Sequence, residues 1–186
     1  MATLTRLLSY EEWLRMPPVE DGKDEVVNGE LRLMPPTHYP HAEIIQNLIA
    51  AMVGRIDKSR VAILGSNFGL MISRDPLTCR SPDLALYWRD KMTVQDGLYW
   101  SPPGLVVEII SPSETKRRKE DKLSDYARIG VPEVWLIAPE GQTVEVRLLK
   151  NSKLVAEKVV LDGMLQPSEF PGISIPVAEI WPPDLP

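Results

Sequence analysis

Two apolar segments of the sequence each carry one acid. The stretch Gly104–Ser113 (GLVVEIISPS) is rich in aliphatic and β-branched residues, and Glu108 is its one acid. This pattern predicts a strand buried on both faces, where a carboxylate needs a cation, a metal or several hydrogen-bond donors. A second strand-like run, Leu84–Trp88, directly follows Asp83. We therefore predict that Asp83 and Glu108 lie on neighbouring strands and together hold one divalent metal.

The periodicity of apolar positions and the turn residues predict the other elements. In chain order they are a helix from a capping box at Ser9 through Met16, a hairpin over Glu25–Met34 about Asn28-Gly29, a helix over His41–Ile56, a strand over Val61–Ile72 broken at Gly65 or Gly69, a loop holding Pro76 and Cys79, a helix entry at Ser111-Pro112-Ser113, a helix over Glu114–Ile129 stopped by Gly130, a strand over Val131–Ala138, a hairpin of Thr143–Leu149 and Lys153–Leu161, and a helical turn within Pro176–Trp181. We expect one α/β domain over residues 1–186, with a mixed β-sheet flanked by helices and with N-terminal and C-terminal hairpins.

Composition narrows the class of protein only slightly. The net charge of −5 argues against a protein that is basic all over, although a local basic patch remains compatible with it. The single cysteine, Cys79, excludes an internal disulfide framework and suits a reducing compartment. The sequence contains no apolar run of membrane-spanning length and no N-terminal signal pattern. We therefore expect a cytoplasmic protein with no membrane partner.

Two acids are the number of protein carboxylates that Mg²⁺ commonly uses, because its remaining positions go to water and substrate phosphate. An ion held by Asp83 and Glu108 would polarise a phosphate, help to ionise an attacking water and stabilise the leaving oxygen. These are the requirements of phosphodiester hydrolysis. A lysine close to the metal would help to neutralise the charge that develops at phosphorus.

The helix that follows Glu108 offers several candidates for that lysine: Lys116, Arg117, Arg118, Lys119 and Lys122. Glu108 lies roughly 7 Å before the end of its strand, and Lys122 lies roughly 12 Å into the helix, so their depths match if the helix folds back along the strand. Lys122 also sits one turn before Tyr126, at the edge of the apolar stripe. We therefore choose Lys122 first and Lys119 second.

Other roles for these acids and cations stay open. Asp83 is compatible with a turn or capping residue, Glu108 with a buried ion pair, for example to an arginine of the next helix, and Lys122 with a solvated lysine paired to Asp125 or Glu120. The remaining candidates lie nearer the N-terminus: His41 starts a helix, where hydrogen bonding is its commoner role, and Glu25 and Glu30 flank a hairpin turn, where either could supply a third acid to the cleft.

Three segments, PDLALYW, LVVEIISPS and EDKLSDYARIGVPEVWLI, together resemble the restriction-endonuclease-like family of small bacterial proteins in the PD-(D/E)xK nuclease superfamily. EVVNGELRLMPP and His41 are also similar to that family, so the resemblance runs from about Tyr10 to Trp181. It implies a restriction-endonuclease-like mixed sheet flanked by helices, with Asp83 and Glu108 in the metal site. Ile110 occupies the position where these nucleases usually carry the lysine, and in this family the lysine is thought to move to the next helix, which matches Lys122.

The first functional hypothesis is thus a Mg²⁺-dependent (or Mn²⁺-dependent) endonuclease that hydrolyses DNA, with Asp83 and Glu108 as metal ligands. An alternative is a catalytically inactive nucleic-acid-binding or regulatory module that retains the nuclease fold. A third is an oligomeric scaffold with subunit contacts through its tryptophans and C-terminal hairpin. The partners expected are DNA and a second copy of the chain, since cutting two strands requires two active sites.

Overall fold

The computed structural model describes residues 7–17, 23–34, 36, 39–65, 67–111 and 114–183. Three α-helices lie within these ranges: α1 (Tyr10–Leu14), α2 (His41–Val53) and α3 (Lys116–Ile129), with 3₁₀ turns at Arg89–Lys91 and Val177–Ile180. The predicted capping box is present, because the Ser9 hydroxyl accepts from the Glu12 amide while the Glu12 carboxylate accepts from the Ser9 amide. None of the helices in the described ranges combines the length and apolar character required to span a bilayer.

The strands of the described ranges form two six-stranded sheets and a two-stranded ribbon. The strands are β1 (Lys23–Val27), β2 (Glu30–Met34), β3 (Val61–Gly65), β4 (Leu70–Arg74), β5 (Leu77–Arg80), β6 (Leu84–Trp88), β7 (Val94–Gln95), β8 (Leu98–Tyr99), β9 (Leu105–Ile109), β10 (Glu133–Ala138), β11 (Thr143–Lys150), β12 (Lys153–Val160), β13 (Met164–Leu165) and β14 (Ile175–Pro176). The N-terminal sheet has the order β2-β1-β5-β4-β8-β7, and the central sheet has the order β12-β11-β10-β9-β6-β3.

The central sheet is mixed, as predicted, because β9 runs parallel to β10 and antiparallel to β6. One face packs against α2 through Ile44, Leu48 and Met52. The other face packs against the apolar stripe of α3, which contains Leu123, Tyr126 and Ala127. The strands at the middle of this sheet are therefore buried on both sides, which explains their nearly continuous apolar sequence.

The N-terminal sheet corrects the sequence-based expectation of a single sheet. The segment predicted as a loop holding Pro76 and Cys79 is in part a strand, β5, which pairs with β1 and β4. Leu77 and Cys79 of this strand are buried in a small core with Tyr10 and Val26. Burial of these apolar side chains, together with strand pairing, outweighs the weak strand signal of a four-residue segment.

Helix α3 begins two residues later than Glu114, the predicted start. Thr115 is the N-cap, since its side chain accepts from the Arg118 amide. Residues 112 and 113 of the predicted helix entry lie outside the described residues. The helix ends at the predicted stop, Gly130, which has φ 87° in the left-handed region.

Candidate active site

The structure brings Asp83 and Glu108 close together at one end of the central sheet. Asp83 directly precedes β6, whose first residue, Leu84, pairs with Val107 of β9. Glu108 lies on the face of β9 that packs against α3, whereas the Asp83 carboxylate reaches the Ile109 amide at the end of the same strand. Both side chains are buried, with exposed fractions of 3% for Asp83 and 2% for Glu108.

Contacts from three parts of the chain hold the Asp83 carboxylate. Its Oδ1 lies 2.9 Å from Lys23 Nζ and 3.1 Å from Nε2 of His41, the first residue of α2. Its Oδ2 accepts a hydrogen bond of 2.8 Å from the Ile109 amide on β9. Lys23 also donates to the Ser81 carbonyl at 2.8 Å. Asp83 therefore links the N-terminal hairpin, α2 and the central sheet.

Two residues of α3, one turn apart, hold the Glu108 carboxylate. Lys122 Nζ lies 2.8 Å from Oε2, and the Tyr126 hydroxyl donates to Oε1. Lys122 also lies 3.4 Å from Oε1 of Glu114, which precedes the helix. The i, i+4 spacing puts Lys122 and Tyr126 on the same face of α3, so one helix face supplies both donors to the acid on β9.

The two carboxylates differ in their electrostatic environments. Burial alone raises the pKa of Asp83, but the contact with His41 and the charge of Lys23 bring it below its ordinary value. For Glu108, burial raises the pKa and the charge of Asp83 raises it further, while Lys122 acts in the opposite direction. The pKa of Asp83 is thus lowered and the pKa of Glu108 is raised relative to an ordinary carboxyl group. Shifted pKa values of this kind are common at functional sites.

The cation and the phenol beside Glu108 also have shifted pKa values. Burial alone lowers the pKa of Lys122, but the negative charges of Glu108, Glu25 and Glu114 raise it above that of a free lysine. Burial and the charge of Glu108 raise the pKa of Tyr126 well above 10.0. Lys122 therefore stays an ammonium and Tyr126 a neutral donor at neutral pH.

A second buried ion-pair group borders this site. Arg80 of β5 lies 3.0 Å from Glu25 Oε2 on β1 and 2.7 Å from Asp125 Oδ2 on α3. Glu25 also accepts from the Ser81 amide at 3.2 Å. Its negative charge acts on both Glu108 and Lys122, so Glu25 belongs to the surroundings of the acid pair.

The other predicted candidates fall in different places. His41 lies within the site, beside Asp83. Glu30 is an exposed residue whose Oε2 lies 3.9 Å from Arg32 on its own hairpin, so the structure does not place it with the two acids. Lys119 is half-buried on α3, and no ion pair is recorded for it among the described residues. The alternative of a buried ion pair at Glu108 is also present in the structure, but its partner from α3 is Lys122 and not an arginine.

Sequence reasoning missed Lys23, Arg80 and Tyr126 as parts of the site. Lys23 could have been found from strand periodicity, because Lys23 and Glu25 are two positions apart and share a face of β1. Tyr126 was assigned to the apolar stripe of α3 with no polar role. Arg80 gave no such signal, since its segment was expected to be a loop.

The donor set permits a small hard cation. Asp83 and Glu108 are two neighbouring carboxylates; Asp83 Oδ1 already contacts both Lys23 and His41, whereas Asp83 Oδ2 and each Glu108 oxygen accept from one donor and keep a lone pair. Within the described ranges, no group of three or more His, Cys, Asp or Glu side chains is arranged to hold a metal. A cation held by Asp83 and Glu108 would have two protein carboxylates and would fill its other positions with water and substrate.

The fold and the paired acids define the class of protein: a mixed α/β domain of the restriction-endonuclease-like type. The model of the Uma2 family, described as "Putative restriction endonuclease", matches residues 10–178. The chain belongs to this family. A search of curated proteins finds no match.

A solved structure supports the same fold. It is the crystal structure of a protein from Anabaena variabilis described as a "putative nuclease". The superposition has a TM-score of 0.76 at 17% sequence identity, and it covers 94% of this chain and 97% of that one. Since the identity is low, this similarity establishes the architecture alone.

Proposed function

We propose that this protein is a Mg²⁺-dependent endonuclease that hydrolyses DNA phosphodiester bonds, with Asp83 and Glu108 as the metal-binding residues. The family match supports a nuclease. The observation that carries the proposal further is the Asp83–Glu108 pair itself: two buried carboxylates, one directly before β6 and one on the adjacent strand β9, with Lys122 of α3 lying 2.8 Å from the second. Metal-assisted phosphodiester hydrolysis requires this combination of oxygen ligands and a nearby cation.

The chain's own residues have separate roles in this proposal. A bound Mg²⁺ would supply polarisation of the phosphate and a lowered pKa of the attacking water. Lys23, His41 and the Ile109 amide fix the orientation of Asp83. Tyr126 fixes that of Glu108. The Lys122 ammonium remains charged and stabilises the negative charge that builds up on the phosphate.

Plasmid nicking combined with metal calorimetry tests these roles. Asp83→Asn and Glu108→Gln should reduce nicking of supercoiled DNA by about 100-fold or more and abolish calorimetric binding of Mg²⁺ or Mn²⁺. Lys122→Met should reduce nicking to a similar degree but retain metal binding, because a ligand is left in place and only a competing cation is removed. Loss of both nicking and metal binding would identify Asp83 and Glu108 as metal ligands. Loss of nicking alone would show that Lys122 acts through its charge.

Substitutions of the same kind at exposed positions control for the change in net charge and for differences between protein preparations. Glu140→Gln and Lys58→Met alter the same residue types away from the acid pair and should nick DNA like the unaltered protein. Nicking that survives in Asp83→Asn and Glu108→Gln contradicts the proposed site. Retention of DNA by the unaltered protein without metal and without products would instead favour the inactive nucleic-acid-binding module.

A further inference from the structure

The edge of the central sheet formed by β12 is long and open. Strand β12 spans eight residues, Lys153–Val160, and among the described residues it pairs only with β11. Its outer edge therefore has no strand partner within the described residues, although the Leu154 carbonyl already accepts from the Arg147 side chain at 3.0 Å. Such an edge is a template for another strand unless it is covered or interrupted.

Large apolar side chains are exposed along and just after this strand. Exposed fractions are 36% for Val155, 55% for Val159, 66% for Leu161 and 43% for Met164. Val155 and Val159 project from opposite faces of the sheet, because their neighbours Leu154 and Val160 pack on the α3 and α2 sides respectively. Leu161 and Met164 follow the end of the strand. Burial of these side chains beside a second strand would favour association.

The sequence of this edge is complementary to itself in the antiparallel direction. Residues 153–162 read KLVAEKVVLD. A two-fold axis between positions 157 and 158 sets Glu157 opposite Lys158 of a second copy and Lys153 opposite Asp162, and it pairs apolar with apolar at every position between them. All four charged residues are exposed. Opposite charges and apolar pairs directly across two strands are stabilising.

The faces of the strand agree with the same axis. Leu154 packs in the core on the α3 side, whereas Val160 packs in the core on the α2 side. In a regular strand, two residues six positions apart project from the same face. Leu154 and Val160 project from opposite faces because the register shift opposite Val146/Arg147 adds one residue near Glu157 and reverses the alternation there. The reversal lies at the two-fold axis described above. Ala156 of one copy and Val159 of the second copy therefore project from the same face, which is required of residues directly opposite each other.

We propose that β12 is a self-association edge, at which a second copy of this chain adds its own β12 antiparallel about an axis between Glu157 and Lys158. The two central sheets then join into one continuous twelve-stranded sheet. Glu157 lies between Lys150 of its own chain, with which it forms an ion pair, and Lys158 of the second copy. The inference rests on the edge strand and does not depend on nuclease activity.

Charge exchange at the axis tests the pairing by sedimentation velocity. The unaltered chain should sediment as a dimer, about twice 20.9 kDa. Lys158→Glu and Glu157→Lys each create two like-charge pairs and should weaken dimerisation about tenfold or more. The double variant Glu157→Lys/Lys158→Glu restores both opposite-charge pairs and should recover the dimer. Thermal melts of each variant confirm that the exposed substitutions leave the fold intact.

Three further variants test whether the dimer uses the proposed strand pairing. Lys150→Met removes only the intrachain ion pair of Glu157 and should leave the dimer intact. Ala156→Cys/Val159→Cys should form an intermolecular disulfide on oxidation, because directly opposite residues lie within disulfide range, whereas Val155→Cys/Val159→Cys should not. The native Cys79 is buried and does not compete. A monomeric unaltered chain, or a double variant that stays monomeric, overturns the proposal.

Discussion

At the scale of single residues, the contacts of Asp83 predict how stability depends on pH. Burial raises its pKa, but His41 and Lys23 lower it to below the ordinary 3.8. A carboxyl group whose pKa is lower in the folded than in the unfolded state contributes stability above the unfolded pKa. That stability is lost as the pH falls through the folded value. The free energy of unfolding should therefore fall more steeply between about pH 4 and about pH 2 than it does in Asp83→Asn.

Urea denaturation at a series of pH values measures the two slopes. Parallel curves for the unaltered protein and Asp83→Asn would show that the Asp83 contacts do not favour its ionised form. Glu30→Gln is a suitable control, because Glu30 is exposed and its nearest cation lies 3.9 Å away.

The sequence predicted the most important residues of the candidate site but not their supports. Glu108 was identifiable because an acid interrupts an apolar strand, and the depth argument selected Lys122 from the cations of α3. Lys23 gave only a weaker signal, its position two residues before Glu25 on the same face of β1, since a lysine on a strand is usually solvated. Its contact with Asp83 depends on the path of the hairpin across the end of β6, which no local pattern specifies.

At the scale of secondary-structure elements, the end of α3 determines how the helix is held over β9. Gly130 has φ 87°, and a Cβ at this position would meet no atom within 4 Å. Substitution therefore costs only backbone strain, roughly 1–2 kcal/mol for an ordinary L-residue in the left-handed region. Gly130→Ala should lower the free energy of unfolding by about 1 kcal/mol, whereas Gly130→Asn should lower it less, because asparagine tolerates this conformation.

Chemical denaturation compares the two variants directly. An equal loss for alanine and asparagine would mean that something other than the left-handed backbone causes the destabilisation. Nicking by Gly130→Ala under conditions where it remains folded should be near normal, since Gly130 lies eight positions beyond Lys122 in the sequence.

Elements with long, regular patterns were predictable, and short ones were not. Helix α3 and strands β6, β9 and β10 were all predicted, because apolar periodicity over five or more residues carries enough information. Strand β5 contains only Leu77-Thr78-Cys79-Arg80 between two proline-containing segments. Its stability comes from burial between β1 and β4, which is a tertiary contact and leaves little trace in the local sequence.

At the scale of the whole molecule, Arg80 connects the N-terminal sheet to α3 and so to the central sheet. Arg80→Met would leave Glu25 and Asp125 without this partner, although both are largely buried. Breaking a buried ion pair by removing one member costs about 3–5 kcal/mol. Arg80→Met should therefore lower the free energy of unfolding by about that amount.

A double-mutant cycle with Glu25→Gln isolates the pair. Because Glu25→Gln removes one of the charges that Arg80→Met leaves unpaired, the double variant should lose about 1–3 kcal/mol less than the sum of the single losses. Additive losses in urea denaturation would show that the contact between the two side chains contributes nothing to joining the sheets.

The division into two sheets was beyond reach of the sequence. Val26 pairs with Cys79 across more than fifty positions, and the segments between them give no indication that the hairpin leaves the central sheet. A single sheet was the simpler expectation, because sequential strands usually lie beside one another. The mixed class and the flanking helices were nevertheless predicted correctly.

The hydrogen bond from the Ile109 amide to Asp83 gives the molecule a built-in reporter. This backbone proton is bound to a side-chain oxygen, so its chemical shift and its rate of exchange with deuterium follow the state of that carboxylate. Spectroscopy of one nitrogen-15 label can thus follow whatever approaches the acid, in a sample that turns over no substrate.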